Sequence, residues 1–166
     1  MALAQAYEAE LPNPLDRVER VAESLQWHFD RTNPHEVTMR IEAPWSDLHV
    51  AMNWRDDVET LHVACTFDVK VTQAKRGETA RLVGLINEQM LSGHFDMWAV
   101  DGSLMFRNSL LLSGGAEAND AQCEMLIRLA VENCQRYFPA FQFVLWAGRS
   151  AEDALESSLF ETMGEA

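Results

Sequence analysis

The chain has 166 residues, 48% of them hydrophobic and 23% charged, which is the size and composition of one folded domain with its own core and excludes a disordered chain. Its 26 Asp and Glu against 13 Lys and Arg leave a formal charge of −13. That field repels phosphate backbones, and the scattered basic residues, of which Lys75-Arg76 is the closest pair, supply no patch to offset it, so no nucleic-acid partner is expected.

Residues 1–12 are rich in Ala and Glu without a clear period and are expected to form a flexible tail ahead of a single domain over 13–166. The start, Met1 to Glu8, lacks the basic region and long apolar run of a signal peptide, and no stretch reaches the roughly 18 apolar residues that span a membrane. Cys65, Cys123 and Cys134 are odd in number and form no CxxC. They read as buried small hydrophobes in a reducing compartment, the cytoplasm.

Asn13-Pro14-Leu15-Asp16 offers an N-cap, a proline at the first helical position and an acid in the first turn, predicting a helix over 14–27 with Leu15, Val18, Ala22 and Leu25 on its apolar stripe. Three runs then alternate with period two: Val37, Met39, Ile41; Leu48, Val50, Met52, Trp54; and Leu61, Val63, Cys65, Phe67. Their connectors, near Ala43-Pro44 and Arg55-Asp56-Asp57, are too short for helical crossovers, so the strands should form an antiparallel meander.

A second helix is expected over Thr72–Leu91, with Leu82, Leu85, Ile86 and Met90 inward and a stop at Ser92-Gly93. Gly77 and Gly84 share one side of it and allow close approach of another element. Phe95–Val100 and Leu104–Leu112 flank Asp101-Gly102, the signature of a type I′ hairpin. Asn119 and Gln122 form a capping box for a third helix. Its face runs Cys123, Leu126, Ile127, Ala130, Cys134, Tyr137 and Phe138, and Pro139 should kink or restart it. Gly148 ends this helix, and Ser150 with Asp153 caps a last one bearing Ala154, Leu155 and Leu159. The order α-β-β-β-α-β-β-α plus a C-terminal helix is an α+β architecture, one antiparallel sheet with helices on its dry face.

Three segments carry a family resemblance: Asn13-Pro14-Leu15-Asp16-Arg17-Val18-Glu19-Arg20, then Gly93-His94-Phe95-Asp96-Met97-Trp98, then Tyr137-Phe138-Pro139-Ala140-Phe141-Gln142-Phe143-Val144-Leu145-Trp146, with the Ala154 helix after them. On these the chain resembles the short, single-domain YbjN-type bacterial proteins, which carry the label of sensory transduction regulators. The resemblance implies a fold like that of type III secretion chaperones, helices on a curved antiparallel sheet, commonly dimeric and acidic. It brings no catalytic residue to carry over.

The residues themselves point away from catalysis. His49 and His62 lie on polar faces of neighbouring strands; with Asp56-Asp57 as the hairpin centre they sit on a diagonal, and Asp47 shares their face. The spacing matches no metal-ligand motif, and His28, His35 and His94 have no companions. Asp56-Asp57 and Glu152-Asp153 read as turn and cap acids, and alternation turns Asp96 away from its apolar neighbours. No GxSxG occurs, and Ser113-Gly114-Gly115 lacks the lysine of a P-loop. No cofactor, metal or catalytic residue is assigned.

The stretch Tyr137–Trp146 is apolar all round and so is buried in the core, at a dimer seam or in a client groove. Trp98 and Met105 face away from Phe95, Met97 and Phe106, leaving the second hairpin apolar on both sides. Helices on one side cannot cover such a hairpin, whereas a second subunit could. Trp98, Met105, Phe138, Phe141, Phe143 and Trp146 are therefore the interface candidates of a non-enzymatic, chaperone-like, homodimeric protein that binds a partner or client polypeptide. A small-molecule or metal sensor on the His49/His62 face is the alternative, and an enzyme of unrecognised type is a less favoured one.

Overall fold

The computed structural model describes residues 12–163; most of the expected tail, residues 1–11, lies outside the described residues. Ten elements follow in order: α1 (Pro14–Ser24), β1 (Phe29–Asn33), β2 (Glu36–Ile41), β3 (Leu48–Arg55), β4 (Thr60–Lys70), α2 (Arg76–Asn87), β5 (His94–Met97), β6 (Ser103–Leu111), α3 (Asp120–Leu145) and α4 (Ala151–Met163). The strands form one six-stranded sheet, β1-β2-β3-β4-β6-β5, antiparallel at every pairing.

Local chemistry sets most boundaries. The Asn13 side chain accepts the Leu15 N–H at 3.0 Å, with Pro14 and Asp16 in the first turn of α1, a satisfied N-terminus. The helix ends three residues before the expected 27, because Gln26 takes a positive φ of 58° while the Trp27 N–H folds back on the Ala22 carbonyl at 2.9 Å. The strand that follows, β1, has no alternating signature: it is an edge strand, exposed apart from the half-buried Phe29 and Arg31, with a bulge between Arg31 and Asn33. Arg31 reaches Asp16 and Glu19 of α1 at 3.2 and 3.1 Å.

The meander of β2, β3 and β4 stands as its period predicts, with Val37, Met39, Leu48, Val50, Met52, Trp54, Leu61, Val63, Cys65 and Phe67 buried on one face. Helices α1 and α3 pack on that face, α2 lies against β5, and α4 packs on α2 and α3. Six aromatic rings knit the layers. Phe95 meets Phe141, Phe106 and Tyr137 at centroid separations of 5.3, 5.6 and 5.8 Å, and Phe67 meets Phe138 at 5.2 Å. Such edge and tilted contacts each add about 0.5–1.5 kcal/mol beyond burial.

Four expectations need correction. The β5–β6 turn is not type I′, which requires positive φ at both central residues; only Gly102 has it, at 73°. The turn is longer, spanning Trp98 to Ser103 with Trp98 N–H on the Ser103 carbonyl at 2.9 Å. Asp101 instead uses its carboxylate to accept the Ser103 N–H and hydroxyl at 3.0 and 2.7 Å, which draws its pKa down to about 2. The second helix proper starts at Arg76, after a 3-10 turn over Gln73–Lys75, and ends at Asn87. On α2, a Cβ at Gly77 or Gly84 would meet nothing within 4 Å, so no described element uses them for close approach. Finally, no new helix starts at Pro139, since α3 continues through it to Leu145. The proline forgoes the bond to the Gln135 carbonyl, and burial of its ring with Phe138, Ala140 and Phe141 offsets that loss.

The capping box of α3 is present, Asn119 and Gln122 bonding each other's backbone N–H at 2.9 Å. The start of α4 is held by Ser150, which accepts the Asp153 N–H, and by Glu78 of α2, which accepts the Ala151 N–H at 2.6 Å. Among the described residues no helix is long and apolar enough to cross a membrane.

Candidate functional site

Among the described residues, the strands that bury one face present the other without helical cover. Cross-strand register aligns the side chains of that second face in rows. One row runs Asp30, Thr38, Ala51, Ala64, Arg107, His94 across all six strands; the next runs Arg40, His49, Thr66, Met105, Asp96. Where a solvated sheet face ordinarily carries long polar side chains, the middle of the first row carries two alanines. The result is a trough of about 650 Å3 whose lining includes His28, Asp30, Thr38, Arg40, His49, Ala51, Ala64 and Thr66. No helix residue lines it.

The loop between β3 and β4 decides what meets on this face. It holds a 3-10 turn, Asp56–Val58, and a left-handed Glu59 at φ 45°, so it is longer than a turn centred on Asp56-Asp57. The register therefore slips by two residues from the expected one. Ala51 pairs with Ala64, His49 pairs with Thr66, and His62 pairs with Asn53. His49 and His62 end up four positions apart along the ladder, about 13 Å at roughly 3.3 Å per residue, beyond joint reach of one ion. Among the described residues no group of three His, Cys, Asp or Glu could hold a metal.

Beside the trough lies a second depression of about 360 Å3, lined by Asn53, Arg55, Val58, Thr60, His62, Arg107 and Ser109. Arg107 bridges it: Nε donates to His62 Nε2 at 3.2 Å and Nη1 to Asp96 Oδ2 at 3.2 Å. An arginine only donates, so His62 Nε2 accepts and its proton sits on Nδ1. Burial, then the Arg107 charge and His94, hold the His62 pKa below 6.5. Arg40 is likewise engaged by Asp47. Both arginines of the two rows are thus held by a carboxylate, Arg107 by Asp96 and Arg40 by Asp47, giving no cationic surface.

The six aromatic and Met candidates separate into two groups. Met105, Phe138 and Phe141 are 5%, 4% and 1% exposed, enclosed by the chain itself, so they offer no surface. Phe138 and Phe141 belong to the aromatic core. Met105 is buried on the helix-free face between Thr66 and Asp96, so that part of the hairpin needs no second subunit to cover it. Trp98 and Trp146 stay 50% and 66% exposed, and Phe143 is half-buried with the Arg149 guanidinium 4.6 Å above its ring. The Trp146 ring meets Phe138 edge-on at 6.3 Å. The segments carrying both tryptophans approach the start of α2, where Arg76 donates to the carbonyl of Ala99, next to Trp98, and Lys75 Nζ stands near Gly148, two residues after Trp146.

The three cysteines are free and buried. Burial pushes the Cys123 thiol up to about 11, and burial with the neighbouring Cys65 raises that of Cys134. Thiols so disfavoured as thiolates are poor nucleophiles. The trough escaped the sequence reading, although alanines at polar-face positions of consecutive strands were its signal; only the true loop length pairs them.

A family model described as "YbjN: Putative bacterial sensory transduction regulator" matches residues 14–143. No curated protein matches the chain. Among solved structures, "Crystal structure of YbjN, a putative transcription regulator from E. coli" is similar with a TM-score of 0.55 and 16% identity, over 75% of this chain and 87% of that one. At that identity the likeness is one of fold.

Proposed function

The chain belongs to the YbjN family, and on that premise we propose that it is a cytoplasmic regulatory module without catalysis of its own, holding a partner polypeptide on the helix-free face of its sheet in a chaperone-like way. The trough over Ala51 and Ala64 carries this reading: a concave, partly buried floor with Thr38 and Thr66 beside it and the Arg40–Asp47 pair at its rim. A surface of that kind suits packing with side chains of another protein better than holding an anion. The solved relative is described as a transcription regulator; for a chain of charge −13, regulation through a protein partner accords better with electrostatics than direct contact with DNA.

The test is to fill the floor. The half-buried Ala51 and Ala64 are changed together to arginine, and partners are cross-linked to the wild-type and doubly substituted chains in the native cell. The cross-linked partner should disappear while circular dichroism stays that of the folded chain. A partner retained at full yield by the folded variant overturns the reading. The volume is also within the range of small-molecule sites, so a metabolite that raises the melting temperature of the wild type but not of the variant would replace the polypeptide by a small ligand.

The exposed Trp98 and Trp146, with Phe143, supply a seam for a homodimer at the end of the molecule where α2 begins. Sedimentation at micromolar concentration checks this, and a clean species at 18.8 kDa counts against it.

A further inference from the structure

A β-sheet must manage the backbone groups on its edges, because unpaired N–H and C=O groups recruit further strands. Three of the unpaired stretches of this sheet bear on what it can recruit, and two of these are closed off. The outer edge at β1 is short, charged at Asp30 and Arg31, and bulged. The outer edge of β5 is sealed by Asn87, whose side chain accepts the Phe95 N–H at 2.8 Å and donates to the Phe95 carbonyl at 3.0 Å.

The third stretch is the far half of β6. Strand β5 pairs with β6 only from Leu104 to Arg107; beyond it, Gly93 with a φ of 75° turns the chain out of line. Because Phe95 bonds outward to Asn87, its pair with Phe106 carries no ladder bonds, and the bonded pairs are His94–Arg107 and Asp96–Met105. Alternation then directs the N–H and C=O of Ser109 and Leu111 away from β4, to the side where β5 has ended. The Leu112 N–H on the Glu59 carbonyl at 2.8 Å, on the β4 side, fits the same alternation. On the open side only the Ser109 N–H has a partner among the described residues, the adjacent Asn108 Oδ1 at 2.8 Å, a local bond that an incoming strand can displace.

Alongside this edge lies a groove of about 200 Å3 lined by Ser92, Asn108, Ser109, Leu110, Gln122, Met125, Leu126 and Leu129. No charged residue lines it, in a chain where 23% of residues are charged, and Met125 stands 52% exposed on its wall. Open backbone groups beside an uncharged, adaptable apolar wall call for an extended backbone with aliphatic side chains at alternate positions. The −13 charge of the chain favours basic residues at the ends of such a segment.

We propose that the Ser109–Leu111 edge of β6, with the groove beside α3, is a strand-addition site for an extended partner segment, apolar at alternate positions and flanked by basic residues. It shares no residue with the trough over Ala51 and Ala64 and stands independently of it.

The probe is a synthetic heptapeptide of alternating valine and threonine with a lysine at each end, titrated into the full-length 15N-labelled chain. Saturating shifts and slowed exchange of the Ser109 and Leu111 amides are expected. Ser109→Pro removes an edge donor without touching the bonds to β4, a change that strand edges tolerate, and should weaken the peptide about tenfold. Met125→Glu, at an exposed position that folding does not depend on, should weaken it comparably and serves should the proline variant fail to fold. Replacing the terminal lysines of the peptide by glutamates should also weaken binding.

Saturation without any change at Ser109 and Leu111, or equal binding by the Met125→Glu chain, overturns the proposal. Shifts confined to Thr38, Ala51 and Ala64 overturn it too while supporting the trough as the polypeptide site. Shifts at Ser109 and Leu111 that grow with protein concentration before peptide is added would assign the edge to a second copy and overturn it as well.

Discussion

Replacing Asn87 by alanine tests how the outer edge of the sheet is sealed. Asn87, the last residue of α2, holds both backbone groups of Phe95 at 2.8 and 3.0 Å, and Phe95 is the ring on which Phe106, Tyr137 and Phe141 converge. The alanine variant loses two hydrogen bonds at a part-buried position. At about 1 kcal/mol each, with water replacing some of the loss, the expected destabilisation is about 2 kcal/mol. For a chain of this size that lowers Tm by about 4–8 °C. Asn87→Asp keeps the acceptor for the Phe95 N–H but sets a carboxylate oxygen against the Phe95 carbonyl where the amide donated, so it should cost at least as much as the alanine. Urea unfolding of the three proteins measures this, with the m-value unchanged because the surface exposed on unfolding is the same. A loss below about 0.5 kcal/mol for Asn87→Ala, or an Asn87→Asp chain clearly more stable than the alanine chain, would refute the view that each half of the amide closes one edge group.

Gly102→Ala should cost about 2–4 kcal/mol, since its Cβ would stand 2.3 Å from the Val71 carbonyl at a φ of 73°, whereas Gly77→Ala, with nothing within 4 Å, should stabilise α2 by about 0.5–1 kcal/mol; thermal melts of the two read the contrast. His62 should titrate below 6.5 by NMR, burial being the larger cause and Arg107 the next. The fold holds the neutral imidazole, so this contribution to stability is complete above pH 6.5 and is lost as pH falls from there through the folded pKa; Arg107→Gln should move the titration upward. A thiol reagent at neutral pH should react slowly with the native chain and fully in denaturant, because Cys123 sits at about 11 and Cys134 is also raised; rapid modification of the folded chain would contradict that.

Much of this architecture is legible from local pattern. Strict alternation marked β2, β3 and β4, because a strand with one buried face shows its period wherever it lies. The caps at Asn13, Asn119 and Ser150 marked helix starts, because they satisfy orphan N–H groups within a few residues of themselves. An edge strand such as β1 is fixed by pairing on one side alone and needs no apolar rhythm, so nothing local announced it.

The functional surfaces depended on non-local geometry. Period two says which residues share a face but not which stand opposite, since that follows from loop length. The 3-10 turn between β3 and β4 slipped the pairing by two, bringing Ala51 to Ala64 and parting His49 from His62. Trp98 and Met105 read alike in sequence, yet Met105 lies under its neighbours across the strands and Trp98, at a strand end, does not. The open edge at Ser109 and Leu111 exists because β5 stops after four residues while β6 continues. Sequence alone determined the layers of this protein, because burial and capping act residue by residue; what its outer face and free edge present was decided only when the strands took their register.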